Sequence, residues 1–440
     1  MPSILVLGAG RSSSSLIAYL LEQAPQRGWK VTVADVSEAA ARDRIGTSPH
    51  AKAVVFDIKK EGAEAVIGAH DLVISVLPAS FHPLVAKFCL KHRKHLLTAS
   101  YVSPDMQGYH QEARAAGLLF LNECGLDPGI DHMSAMQVID RIREGGGDLY
   151  SFESFTGGLI APETDPGNPW RYKFTWNPRN VVMAGQGTAK FLQEGQYKYI
   201  PYQQLFKRVT PVEVPGYGRF EGYANRDSLG YRKLYGLQEI KTMLRGTLRN
   251  EGFCAAWDVL VQLGCTDDSY TMEGVGTMTH RSFMNAFTGY HAARKLEEKI
   301  VKLTGVALDG PELDRIRWSG LFEDTPVGLE EGTPAQILEH ILNKKWKLEP
   351  QEKDMIVMWH RFRYAQDGKG QEIQAMLVAK GDDSVRTAMA KTVGLPLGIA
   401  ASLLLEGKIK ERGVVVPVTK EFYEPILSEL NTLGVRFTEQ

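Results

Sequence analysis

Short apolar runs recur along the first third of the chain: Ile4–Gly8, Lys30–Asp35, Ala53–Ile58, Leu72–Leu77, His95–Ala99 and Leu118–Asn122. They are continuous rather than alternating, the pattern of strands buried on both faces. The polar, Ala-rich stretches between them are long enough to be the helical crossovers that parallel strands require. The rhythm predicts an α/β fold, a Rossmann-type doubly wound parallel sheet.

After Gly145–Gly147 the rhythm changes. Phe152–Gly158, Tyr172–Trp176 and Val181–Ala184 read as strands separated by Gly, Pro and Asn. Leu237–Leu248, Phe253–Leu263, Ser282–Val301 and Thr333–Asn343 carry helical spacing, and Met355–Tyr364 with Glu372–Lys380 reads as a hairpin. This is an α+β domain inserted into the first. Ser384–Leu405 reads as a long Ala/Leu helix, followed by a strand at Val414–Pro417 and a helix at Glu421–Leu433. The tail is expected to return to the first domain. The expected division is residues 1–130 for the dinucleotide domain, 131–383 for a substrate and dimerisation domain, and 384–440 for the returning segment.

Composition narrows the partners. A chain of 440 residues that is 43% hydrophobic can fill two cores. Its 51 Lys+Arg and 52 Asp+Glu nearly cancel, which argues against nucleic acid or an anionic membrane and in favour of a small molecule. Cys89, Cys124, Cys254 and Cys265 show neither a C-x-x-C pair nor metal-ligand spacing, so no metal is expected. No secretory signal is recognisable, and a cytoplasmic setting is the expectation. The most apolar stretch, Gly394–Leu405, is short for a bilayer span and reads as a buried core helix.

The first run leads into Gly8-Ala9-Gly10-Arg11-Ser12-Ser13, a G-x-G-x-x-S form of the dinucleotide fingerprint, just before a helix. Gly8 permits the tight turn, Gly10 lets the backbone approach a pyrophosphate, and the helix start supplies N–H groups and positive dipole. Ser13 stands where a third small residue serves helix-to-strand packing. Asp35 ends the second run, where a carboxylate accepts hydrogen bonds from the adenosine ribose hydroxyls and repels a ribose phosphate. That favours NAD, with NADP the alternative. Asp35 is also a good residue for a strand-end turn. Asp57, Ser75 and Val76 end the next two runs and line the adenine and ribose edges by position alone.

Three further segments are Thr98-Ala99-Ser100-Tyr101-Val102-Ser103-Pro104, Asn122-Glu123-Cys124-Gly125-Leu126-Asp127-Pro128-Gly129-Ile130-Asp131-His132-Met133 and Gly157-Gly158-Leu159-Ile160-Ala161-Pro162-Glu163. Together with Tyr172–Trp176, Asn225-Arg226-Asp227-Ser228 and Arg245-Gly246-Thr247-Leu248-Arg249, they give the whole chain a form that resembles the saccharopine reductase family. The resemblance implies a Rossmann domain completed by the tail, and a homodimer. The implied reaction takes saccharopine, water and an oxidised nicotinamide cofactor to L-glutamate, 2-aminoadipate 6-semialdehyde and the reduced cofactor.

It further implies that Ala99, Ser100 and Leu126 border the nicotinamide, and that Ser100, Tyr101 and Asp127 face the substrate, with Asp127 and Tyr101 as the catalytic candidates. Asp127-Pro128-Gly129 is equally a turn, and Tyr101 equally a wall residue. Substrate binding is carried onto Arg226, Thr247, Leu248 and Arg249; a guanidinium suits a substrate with three carboxylates, whereas a surface ion pair is the plainer reading. Lys173 and Trp176 are candidate walls. His132 on a helix reads either way. The chain departs from the family at Thr156, where Cys is common, and at Asp35, where better-known relatives lack an acid. Two other readings stay open: a carboxynorspermidine dehydrogenase-like oxidoreductase, and a nucleotide-sensing Rossmann protein without catalysis.

Overall fold

The six apolar runs become the parallel strands β1 (Ser3–Leu7), β2 (Lys30–Asp35), β3 (Ala51–Val55), β4 (Leu72–Ser75), β5 (His95–Thr98) and β6 (Leu119–Leu121). A seventh, Gly413–Val415, counted β15 along the chain, pairs in parallel with β6, so the sheet order is β15-β6-β5-β4-β1-β2-β3. The structure is a computed structural model that describes all 440 residues. Ile4, Leu5, Val6 and Leu7 are all fully buried, as a strand covered on both faces requires. Each such side chain contributes about 1.5–3 kcal/mol of apolar burial, an upper figure against an extended chain.

Two units result, Met1–Leu149 with Tyr364–Gln371 and Leu377–Gln440, and Tyr150–Arg363 with Glu372–Met376. The first unit therefore runs past the expected boundary at residue 130. The reason is the helix Ile130–Glu144, whose buried face includes Ile130, Met133, Val138 and Ile139 and which packs on the helix Lys420–Thr432. Tyr423 donates its hydroxyl hydrogen to Asp140 Oδ2 at 2.9 Å across that contact. The helix Ala388–Leu405 covers the helix Ser14–Arg27. It begins after Thr387, whose Oγ1 accepts the N–H of Ala390 at 2.9 Å, and 14 of its 18 residues are buried. Its length and hydropathy would suffice for a membrane, but its surroundings are the protein core.

The second unit is built on most of β7 (Asp148–Ile160), on β8 (Thr188–Gln193), β9 (Gln196–Pro201), β10 (Thr210–Val214), β11 (Gly218–Ala224) and β12 (Thr242–Asn250), and on parts of β13 (Asp354–Gln366) and β14 (Lys369–Lys380). Its sheet runs β10-β11-β12-β7-β13-β14, with β8 pairing β12 and β9. The predicted hairpin is β13 and β14, and the predicted helix Phe253–Leu263 is present.

Four expectations fail here, the first being the helical segment Ser282–Val301, which is two helices, His280–Ala286 and Leu296–Thr304, separated by nine non-helical residues. Leu237–Leu248 is not a helix: from Thr242 it is the central strand β12, hydrogen-bonded to β11 and β7 on either side. The stretch begins in the loop before the strand, and Leu237, Ile240, Leu244 and Leu248 together mimic a helical stripe that masks the alternation of Arg245, Thr247 and Arg249. Val181–Ala184 is not a strand but the end of the short helix Pro178–Val182, started by Asn177, whose Oδ1 accepts the N–H of Arg179 at 3.0 Å. Tyr172–Trp176 forms no strand; it holds one isolated bridge, Phe174 to Lys347. Tyr172, Phe174, Phe253, Trp257 and Trp346 pack there with ring centroids 5.1–6.3 Å apart, so aromatic packing fixes the segment without a ladder.

Candidate active site

In the first unit the strand order reverses at the neighbours β1 and β4, from which successive parallel strands are added outward to opposite edges of the sheet, leaving a crevice at the carboxyl ends of the two. Gly8 sits there with φ +106°, and a Cβ on it would meet Val76 Cγ2 at 3.1 Å. The next turn is the single 3₁₀ turn Arg11–Ser13 leading into the helix Ser14–Arg27. Ser13 is buried, and its hydroxyl donates to Gly10 O at 2.9 Å, so its role is to close the loop. A Cβ added at Gly10 would meet nothing within 4 Å. The loop thus presents bare backbone to open space at the head of a helix, which fits a dinucleotide pyrophosphate. Arg11 is exposed and Ser12 half-buried beside it.

Asp35 braces this loop. Its Oδ2 accepts the N–H of Ala9 at 2.7 Å and its Oδ1 the N–H of Ser37 at 2.9 Å. Asp57 lies just past β3 and not on it, accepting the N–H of Lys59 at 3.0 Å. With Val36, Val55 and Phe56 it lines a hollow of about 270 Å³. Val36 and Val55 are largely exposed there, at 72% and 60%, a surface suited to an adenine ring.

Ser75 differs from expectation, because its hydroxyl points to His82 Nδ1 at 3.1 Å inside the unit. His82 Nε2 is 2.8 Å from Ser100 Oγ and 3.0 Å from Thr98 Oγ1. Burial pushes this imidazole down to about 4, so it is neutral at ordinary pH and bridges the ends of β4 and β5 as one donor and one acceptor. The short spacing from Ser75 to His82 was the only sequence signal for it.

Beside Ser100, the half-exposed Tyr101 donates to Asp127 Oδ1 at 3.3 Å. Asp127 opens the turn after β6, where Gly129 has φ +146° and packs so closely that a Cβ would lie 2.1 Å from Gly125 O. Ala99 and Leu126 flank it, Leu126 being buried and Ala99 packed against Gly125. Behind the turn is His132, which reads either way in the sequence, between two carboxylates to which the sequence assigns no role. Glu123, at φ +55°, reaches His132 Nε2 with Oε2 at 2.9 Å, and Asp131 Oδ2 lies 3.7 Å from His132 Nδ1.

In the second unit, Asn225-Arg226-Asp227-Ser228 is a turn pinned to β12. Asn225 N–H donates to Arg245 O at 2.8 Å, and Ser228 Oγ accepts the N–H of Arg245 at 2.9 Å. Arg226 is left exposed, its aliphatic stem 3.5 Å from where a Cβ of Gly187 would be. Thr247 Oγ1 donates to Asn225 Oδ1 at 3.0 Å, joining this turn to β12. Leu248 is fully buried.

Arg249 is 4% exposed and lies against the rings of Tyr172, Tyr223 and Phe253 at 4.9, 5.8 and 5.3 Å. Its Nη1 donates to Leu248 O at 3.0 Å, while its Nε has no acceptor. The carboxylate opposite it on β11, Glu221, is turned instead to the N–H groups of Gly252 and Cys254 at 2.8 and 3.0 Å. Lys173, in contrast, is spent on Glu352 at 2.6 and 2.7 Å and on Asp165 at 3.1 Å, and does not wall a cleft. Trp176 is half-buried. The Thr156 hydroxyl is buried without a partner. No His, Cys, Asp and Glu group with metal-binding geometry occurs.

Residues 4–121 match the model of the saccharopine dehydrogenase NADP binding domain, and residues 125–435 that of the saccharopine dehydrogenase C-terminal domain. The chain is 34% identical to the saccharopine dehydrogenase (NADP(+), L-glutamate-forming) of Schizosaccharomyces pombe, covering 100% of this chain and 99% of that one. It is 35% identical to the mitochondrial alpha-aminoadipic semialdehyde synthase of Bos taurus, but spans only 47% of that relative's length. The apo saccharopine dehydrogenase (L-Glu forming) of Saccharomyces cerevisiae superposes with a TM-score of 0.90 at 31% identity, covering 100% and 99% of the two chains. The matched domain and the fungal relatives are named for NADP, and the expected preference for NAD finds no support among them. Taken with the crevice at β1 and β4 and the turns after β5 and β6, these likenesses decide the family: the chain belongs to the saccharopine dehydrogenases.

Proposed function

We propose that the chain interconverts saccharopine, water and oxidised nicotinamide cofactor with L-glutamate, 2-aminoadipate 6-semialdehyde, reduced cofactor and a proton. The observation that carries this reading is Arg249, a buried guanidinium that forms no ion pair, its cross-strand neighbour Glu221 being engaged by backbone N–H groups. An isolated buried charge is costly, and a carboxylate of the substrate would complete it with bidentate hydrogen bonds. Exposed Arg226 and the Thr247 hydroxyl serve other acidic or polar groups of the same substrate. Two arginines suit a tricarboxylate better than the carboxynorspermidine-type imine.

The Gly8–Ser13 segment holds the pyrophosphate, Asp35 the adenosine ribose and the Asp57 hollow the adenine, with Ala99, Ser100 and Leu126 bordering the nicotinamide. When bound, the cofactor supplies a two-electron acceptor for hydride. Asp127 accepts a proton from the substrate's secondary amine, and Tyr101 orients it through the hydrogen bond between them. Once the carbon beside that nitrogen has lost hydride, water adds to the substrate imine. The carbinolamine then collapses as the amine nitrogen regains a proton. Thr156 has no part in this transfer, since its hydroxyl does not titrate in the useful range.

The Asp35 carboxylate, through its charge, favours NAD over NADP in this chain, against the habit of its named relatives. The assembly is a homodimer by family resemblance. An absorbance assay of the reduced nicotinamide with saccharopine and either cofactor tests substrate and preference together. No reduction with either cofactor overturns the proposed reaction.

A further inference from the structure

We propose that Glu123 and His132 are positioning residues that hold Asp127 against Tyr101, an inference that rests on reading those two as the proton-handling end of the site. The Tyr101 to Asp127 hydrogen bond is 3.3 Å long and Tyr101 is 51% exposed. Such a bond is too weak to fix two loops by itself. Something beneath must hold the backbone on which both side chains stand.

Glu123 does so from the carboxyl end of β6. Its Oε1 accepts the N–H of Val102, the residue after Tyr101, at 2.9 Å. Its own N–H donates to Ser100 O, the residue before Tyr101, at 3.1 Å. Tyr101 is thus bracketed by two hydrogen bonds from a single residue. The other oxygen, Oε2, meets His132 Nε2 at 2.9 Å in the first turn of the helix Ile130–Glu144. On the far side of that ring stands Asp131, whose Oδ1 accepts the N–H of Gly129 at 2.6 Å, closing the turn that Asp127 opens. One imidazole between two carboxylates therefore links the loop of Tyr101 to the loop of Asp127. Glu123, Asp131 and His132 are at most 4% exposed, so the link lies behind the reacting groups and does not touch substrate.

Glu123→Gln in the full chain tests this. It retains the acceptor for Val102 but replaces the charged oxygen facing His132. The expected result is a folded protein whose kcat falls at least tenfold, while the KM for cofactor stays within twofold. In an Asp127→Asn background the same change should cost less than a further twofold, because its effect passes through Asp127. Hydrogen exchange should quicken at the amides of residues 99–103 and 125–131 and stay unchanged in β1 to β4. Should Glu123→Gln fail to fold, His132→Gln is measured under the same criteria.

A folded variant with kcat within twofold of wild type, or losses that multiply in the double variant, overturns the proposal. Wild-type protein without activity on saccharopine would sink the functional reading instead. The exchange pattern then decides the positioning role alone: quickened loops uphold it, and unchanged loops end it.

Discussion

Tyr101 and Asp127, 26 residues apart in the chain, meet at 3.3 Å where the ends of β5 and β6 lie side by side. If Asp127 takes the amine proton, Asp127→Asn lowers turnover on saccharopine about 10²-fold, the usual scale of acid–base catalysis, and Tyr101→Phe lowers it less. Cofactor affinity should change little in either. Rates at saturating cofactor measure this, and wild-type turnover in the Asn variant would remove Asp127 from the chemistry.

The Asp35 carboxylate accepts from Ala9 and Ser37, and still has lone pairs to offer a ribose diol. NAD is therefore expected to have the higher kcat/KM, and Asp35→Ala to narrow the gap by relieving repulsion of the ribose phosphate. The variant should also bind both cofactors less well, because the loop loses its brace. Better use of NADP by the unchanged protein would refute the preference.

Arg249 and Arg226 separate by burial. Replacing Arg249 with Met removes a buried charge that forms no ion pair in the protein, so the ligand-free protein should lose little or no thermal stability despite the lost ring contacts. The KM for saccharopine should rise by two orders of magnitude or more, in line with the roughly 2–5 kcal/mol of a buried charge-assisted pair. Arg226→Ala, at an exposed position, should raise it by less, and Arg226→Lys by less again. Calorimetry and saccharopine titrations check both halves, and unchanged saccharopine kinetics in folded Arg249→Met would defeat the assignment.

His82 yields a stability prediction with a definite sign. Its folded value near 4 lies below the unfolded value near 6.5, so the unfolded chain binds the proton more readily. Its contribution is fully present above pH 6.5 and is lost as pH falls from there through 4, about 3 kcal/mol in all. His95, half-buried and pushed down to about 4 by partial burial and the nearby Arg412 charge, adds a slope of the same sign. Urea unfolding between pH 7.5 and 4.5 should show the decline, and His82→Gln should flatten it by one proton. An unaltered slope in that variant would mean that His82 is charged or solvated in the fold.

The cofactor half was readable in the chain because its physics is local or periodic. Continuous apolar runs mark buried parallel strands, and the distance from Gly8 to Asp35 is set by one helix and one strand. β12 was misread because Leu237 and Ile240, in the loop before it, fall at helical spacing with Leu244 and Leu248 and mask the alternation of Arg245, Thr247 and Arg249. His82 and Glu123 escaped because their partners, Ser100 and Val102, lie 18 and 21 residues away and meet them only in the folded sheet. Arg249 was found by family likeness, but that it lies unpaired among three rings could be learned only from coordinates.

The helix Ala388–Leu405 lies on the helix Ser14–Arg27 so closely that a Cβ on Gly394 would stand 2.7 Å from Leu16 N, while Ser14 donates to Val385 O at 2.7 Å. About 370 residues separate these partners along the chain. At ribosomal speeds of roughly 5–20 residues per second, the apolar side of the first helix waits some 20–75 s for its cover. The nucleotide domain is thus begun first and finished last. A nascent chain stalled before residue 388 would carry the whole fingerprint loop with the apolar side of its first helix uncovered.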